Sequence, residues 1–98
     1  RHELDIAPAE PPYTAEEVRE ALLGGETLTR LSGLRVLNVN GCFFINSEPY
    51  ETVDPRAADA LCRYTDISQH ELGDALLHPA FIEELTALIN QGYWFFDE

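Results

Sequence analysis

Three histidines, two cysteines and eighteen acidic residues are the groups in this 98-residue sequence that could do chemistry, and their spacing decides which chemistry. His70 and Asp74 stand four residues apart, a spacing that puts two metal ligands on one face of a helix. No third ligand accompanies them and their neighbours spell a solvated helix face, so the pair reads as surface hydrogen bonding. A facial iron centre needs two histidines and a carboxylate, commonly opening with His-x-Asp or His-x-Glu. The residues two places after His2, His70 and His78 are Leu4, Leu72 and Ala80. His2 falls in a proline-rich stretch, and His78 stands where it can cap a helix. Cys42 and Cys62 lack Cys-x-x-Cys spacing, and in a strand pattern and on a helix face they are expected to be small buried hydrophobes. Glu83 and Glu84 lie opposite an apolar stripe, the usual place for solvated charge. There is no glycine-rich phosphate loop and no nucleophile elbow. These residues predict no catalytic, cofactor-binding or metal site: the chain by itself is not expected to be an enzyme.

Charge narrows the partners. Eighteen acidic residues against six basic ones, all arginine, give a formal net charge of -12. Such a field repels phosphate backbones and anionic lipid, which argues against nucleic-acid and membrane partners. A helix-turn-helix reader would need basic residues on its second helix, and the stretches Ser68 to Leu77 and Pro79 to Gln91 hold no Arg or Lys. Arg30 and Arg35 fall on strands, where solvation is the expected role. No apolar run approaches the 20 residues of a membrane helix and no signal peptide is visible, so a cytoplasmic location is expected. With 45% apolar residues the chain has the makings of one folded domain. It starts at Arg1 and contains no Met, which suggests a piece of a longer protein.

The elements that must position these residues are plainly punctuated. Residues 1–12 contain Pro8, Pro11 and Pro12 and read as an extended linker, leaving one domain over residues 13–98. Thr14 with Glu17 makes a capping box, Ala15, Val18 and Leu22 mark the inner face of the helix, and Gly24-Gly25 end it. Leu28 to Leu31 predicts a short strand. Leu34 to Val39 and Cys42 to Asn46 predict a hairpin about Asn40-Gly41, pairing Val39 with Cys42, Leu37 with Phe44 and Val36 with Ile45. Ser47 to Thr52, with Pro49, reads as a polar connector. Asp54-Pro55 opens a helix with Ala58, Leu61 and Cys62 inward. The capping box Ser68 to Glu71 opens another with Leu72, Ala75 and Leu76 inward. His78-Pro79 opens the last, whose stripe is Phe81, Ile82, Leu85, Leu88 and Ile89 and whose end is Gly92.

After that end come Tyr93, Trp94, Phe95 and Phe96 in succession. Four adjacent aromatic residues require a strand buried on both faces or a partner covering one of them. They are expected to be mostly core, and together they form the candidate docking surface.

Several segments resemble one known family. Leu28-Thr29-Arg30-Leu31-Ser32-Gly33-Leu34-Arg35-Val36-Leu37, Phe44-Ile45-Asn46, Leu72-Gly73-Asp74-Ala75-Leu76 and Ile89-Asn90-Gln91-Gly92-Tyr93-Trp94-Phe95-Phe96 are similar to the C-terminal region of bacterial cupin-type, JmjC-like ribosomal oxygenases. Pro11-Pro12-Tyr13-Thr14 fits as well. The resemblance implies an α+β, winged-helix-like fold with four helices, a β-hairpin and a C-terminal strand. It implies a parent that uses Fe(II) and 2-oxoglutarate to hydroxylate an arginine of a ribosomal protein. That parent, a homodimer, would carry the iron ligands in a catalytic double-stranded β-helix, followed by a helical dimerisation domain. The module would then pack on those domains and help hold a basic ribosomal protein. The alternative is a stand-alone acidic interaction domain for a basic partner, which an intact mass compared with the open reading frame would distinguish.

Overall fold

The computed structural model describes residues 6–40 and 42–97, so His2, Leu4, Gly41 and Glu98 lie outside the described residues. Helix α1 runs Ala15–Leu23, strand β1 Leu28–Arg30, β2 Val36–Val39, β3 Cys42–Ile45 and β4 Glu48–Tyr50. Helix α2 follows at Pro55–Arg63, then β5 Asp66–Ile67, α3 Gln69–Leu72 with a 3₁₀ turn Gly73–Leu77, α4 Pro79–Asn90 and β6 Trp94–Phe96. The strands form two antiparallel sheets, β5-β1-β6 and β2-β3-β4. Four helices on small antiparallel sheets give an α+β winged-helix architecture, with β2-β3-β4 as the wing.

The predicted starts form as local chemistry requires. Thr14 Oγ1 accepts from the Glu17 N–H at 3.1 Å and Glu17 Oε1 accepts from the Thr14 N–H at 2.9 Å. Asp54 Oδ1 accepts from the Ala57 N–H at 3.1 Å, with Pro55 in the first turn of α2. Glu71 Oε1 accepts from both the N–H and the hydroxyl of Ser68, at 2.7 and 2.8 Å. These side-chain acceptors satisfy N–H groups that a helix start leaves orphaned, and the Ser68 donors hold the Glu71 carboxyl below its ordinary range. The α4 stripe is as predicted: Phe81, Ile82, Leu85, Leu88 and Ile89 are all buried. Its C-terminus is a complete Schellman motif, with the Gly92 N–H donating to Ile89 O at 2.9 Å and the Tyr93 N–H to Leu88 O at 3.2 Å.

Other expectations change. Ser47 to Thr52 is not all connector: β4 pairs with β3 through Phe43–Tyr50, Phe44–Pro49 and Ile45–Glu48. Asn46 and Ser47 both take positive φ, 51° and 72°, and so make the tight turn that a Pro-containing stretch conceals. Pro49 is tolerated because β4 is an edge strand that need not donate on its open side. The helix predicted from Ser68 to Leu77 stops at Leu72, where Gly73 turns to φ 54° and a 3₁₀ turn continues. Leu72, Ala75 and Leu76 are nonetheless buried.

Hairpin register is as expected, Val36–Ile45, Leu37–Phe44 and Val39–Cys42, and Asn40 takes the φ of 53° that a type I′ turn needs. The faces are unequal. Val36, Phe43 and Ile45 enter the core, while Leu37, Val39 and Cys42 are exposed. Cys42 is therefore not buried, contrary to expectation, because its register position lies on the outer face of the wing. Cys62, half-buried on α2, is nearer the expected role, and burial pushes its thiol up.

Candidate functional site

The chain's closing strand and its opening segment meet. Ala9 N–H donates to Asn90 O at 3.1 Å, while the Asn90 side chain grips Tyr13 twice. Its Oδ1 accepts from the Tyr13 N–H at 2.8 Å and its Nδ2 donates to Tyr13 O at 3.0 Å. The described part of the predicted linker is indeed without helix or strand, but from Ala7 to Tyr13 it is a strap held on the end of α4. The Tyr13 ring meets Phe96 edge-on, centroids 5.4 Å apart.

Strand β6 then divides the four aromatic residues. Opposite β1, Trp94 pairs with Arg30, Phe95 with Thr29 and Phe96 with Leu28. Strand alternation sends Trp94 into the core at 0% exposure and leaves Phe95 44% exposed on the other face. Tyr93 and Phe96 are half-buried. Between strap and sheet lies an apolar cavity of about 270 Å³, bordered by Ala7, Ala9, Tyr13, Leu31, Trp94 and Phe95. Of the four residues considered for docking, Trp94 thus reaches only the wall of this cavity, and Phe95 alone is broadly open.

The polar candidates do other work. Arg30 is not a solvated strand residue: its guanidinium turns under the sheet and donates to Leu61 O at 3.1 Å and Cys62 O at 3.3 Å. A cation on the last carbonyls of α2 satisfies orphan acceptors and the negative end of the helix dipole. His78 occupies the start of α4 without a side-chain capping bond; its Nδ1 lies 3.3 Å from Asp54 Oδ2 instead. Glu83 is exposed as expected, but Glu84 is half-buried, its Oε1 accepting from the Val53 N–H at 2.9 Å. His70 and Asp74 both border an open cleft of about 1080 Å³ between α2 and α3, which also exposes Arg56, Arg63 and Asp59. Arg63 pairs with Asp59 at 3.2 Å there, an exposed i, i+4 bridge of little energetic consequence. Among the described residues no three His, Cys, Asp or Glu side chains gather where they could hold a metal ion, so the donor set does not fit an iron centre. No helix among them is long and apolar enough to cross a membrane.

Tyr50, on the wing, is half-buried near Tyr93. Burial, then hydrogen bonding to Tyr93, pushes the Tyr50 phenol from 10.0 up to about 12. The folded state therefore favours neutral Tyr50. Its stabilising contribution is complete below the unfolded value of about 10 and is lost as pH rises through about 12. Denaturant unfolding from about pH 8 to about pH 12 should show the unsubstituted chain losing stability relative to Tyr50→Phe above pH 10. A pH-independent difference between the two would refute the coupling.

Wing, helices and a capped, closed core define a winged-helix domain. Its sequence matches the ROXA-like winged helix pattern over residues 1–95, and the chain belongs to that family. It is 47% identical over 97 residues to the C-terminal part of ribosomal protein uL16 3-hydroxylase of Escherichia coli (strain K12). That alignment covers 99% of this chain and 26% of the relative. Among solved structures, the ribosomal oxygenase YcfD of Escherichia coli superposes with a TM-score of 0.93 at 47% identity, covering 99% of this chain and 27% of that one. A structure of YcfD in complex with cobalt and 2-oxoglutarate gives the same TM-score, 0.93, at 47% identity over 100% of this chain and 27% of that one. The chain thus spans about a quarter of the length of the relatives it matches.

Proposed function

We propose that this domain is the non-catalytic C-terminal module of an Fe(II)- and 2-oxoglutarate-dependent ribosomal-protein arginine hydroxylase, packing on the parent's catalytic and helical domains. The observation that carries this reading is 47% identity along 99% of the chain to the C-terminal quarter of a uL16 3-hydroxylase. In this reading metal and cosubstrate are held by the rest of the parent, a cytoplasmic homodimer. No step of the reaction passes through residues of this module, among whose described residues no donor set for iron gathers.

The module also helps hold the substrate. Its net charge of -12 draws a basic ribosomal protein towards the enzyme and leaves nucleic acid outside. Turnover of intact ribosomal protein and of a short peptide around the target residue should be compared for the full-length parent and for a form lacking residues 13–98. Loss of the module should slow the intact protein about ten-fold at low salt, an electrostatic steering effect, and leave the peptide nearly unchanged. Equal turnover of both substrates by both forms would sink the substrate-holding role.

A further inference from the structure

We infer that the apolar cavity beside Trp94 is a socket for an apolar side chain of the parent domain that precedes this module, a reading that rests on the module assignment above. Packing, lining, size and position converge on it. Trp94 is 0% exposed and borders the cavity, yet its Nε1 has no hydrogen-bond partner among the described residues. Buried donors are nearly always paired, so this sealed and unpartnered one marks incomplete packing at the cavity wall. Around it, Phe95 is 44% exposed and Tyr13 37%, two large aromatic side chains open to solvent at its border.

The cavity's chemistry and size restrict the occupant. Among the described residues its lining is uncharged, which does not suit an arginine-rich substrate, and about 270 Å³ is below the range of drug-sized ligand pockets. One large apolar side chain fits both limits. Position selects the source. The module matches the C-terminal quarter of its relatives, so the rest of the parent joins it through the strap that walls this cavity. Short tethering of that kind raises the effective concentration of the preceding domain over any other occupant.

The outer face of the wing is the control. Leu37 and Val39 are 45% and 49% exposed there, with no unpaired buried donor beside them. In the full-length parent, Phe95→Ser should speed protease cleavage within residues 1–12 about ten-fold, as expected when one buried aromatic contact is lost. Hydrogen exchange over Ile6–Tyr13 and β6 should rise with it. Ala9→Leu, which fills the cavity without removing a contact, should do the same, and Leu37→Ser should not. Unchanged cleavage in Phe95→Ser and Ala9→Leu would overturn the inference, as would release by Leu37→Ser alone. Dissociation of a dimer by Phe95→Ser without faster cleavage would place a second copy in the socket and overturn it too. Hydroxylase activity of the unsubstituted preparation tests the module assignment separately, so the two readings fail independently.

Discussion

Replacing Trp94 by alanine should lower the unfolding free energy of this chain by about 3–5 kcal/mol, the usual cost of emptying a large aromatic site in a core. Trp94 is the largest of the fully buried side chains. It sits on a three-residue strand whose only sheet partner is β1, so little else holds β6 against the helices. A domain of this size has about 5–15 kcal/mol to lose, and the variant should be near its limit in a urea titration. Trp94→Phe gives the sharper reading. It keeps most of the volume and removes the unpartnered Nε1–H, so it should cost well under half as much as alanine. A loss below about 1 kcal/mol for alanine would mean that the ring does not fill the core.

Gly92→Ala should cost about 2–4 kcal/mol, for two separable reasons. Gly92 has a φ of 91°, a conformation that strains any L side chain. A Cβ there would also lie 2.5 Å from Ala7 O and 2.8 Å from Ala7 C, which forces the strap to move. Gly25 separates the terms: its φ is 96°, but a Cβ would meet nothing within 4 Å. Gly25→Ala should therefore carry the backbone strain alone, about 1–2 kcal/mol. Chemical denaturation gives both values, and hydrogen exchange at Ala9 and Tyr13 should quicken only in Gly92→Ala. Equal costs at the two glycines would show that the strap contributes nothing.

Much of the frame was legible because its causes are local. Thr14 with Glu17, Asp54 with Ala57 and Ser68 with Glu71 are bonded across three residues, and the α4 stripe follows from helical period alone. The hairpin register followed from the two-residue turn. What alternation could not say was which face of that hairpin meets the core, because both faces are apolar. Cys42 was misplaced for that reason. Strand β4 was hidden by Pro49, whose tolerance depends on lying at a sheet edge, a property of the assembled sheet.

The site was legible only in outline. Four aromatic residues in a row announced a buried strand or a covered surface, and the family resemblance implied a place at the end of a longer protein. Which of them is which was decided by pairing. Trp94 goes inward with Arg30 and Leu28, and Phe95 outward with Thr29, once β6 lies against β1 across more than sixty residues of sequence. The capping of α2 by Arg30 and the grip of Asn90 on Tyr13, 77 residues away, have no sequence signature either. By itself the sequence determined the helix starts, the end of the last helix, the core stripe, the acidic field and the missing iron motif, all set by bonds and sterics within a few residues or by composition. The tertiary structure decided that the opening segment is a strap, that Gly92 must be glycine for the sake of Ala7, and that an apolar cavity remains beside Trp94. Contacts between distant residues form only when the chain has closed, and no local pattern encodes them.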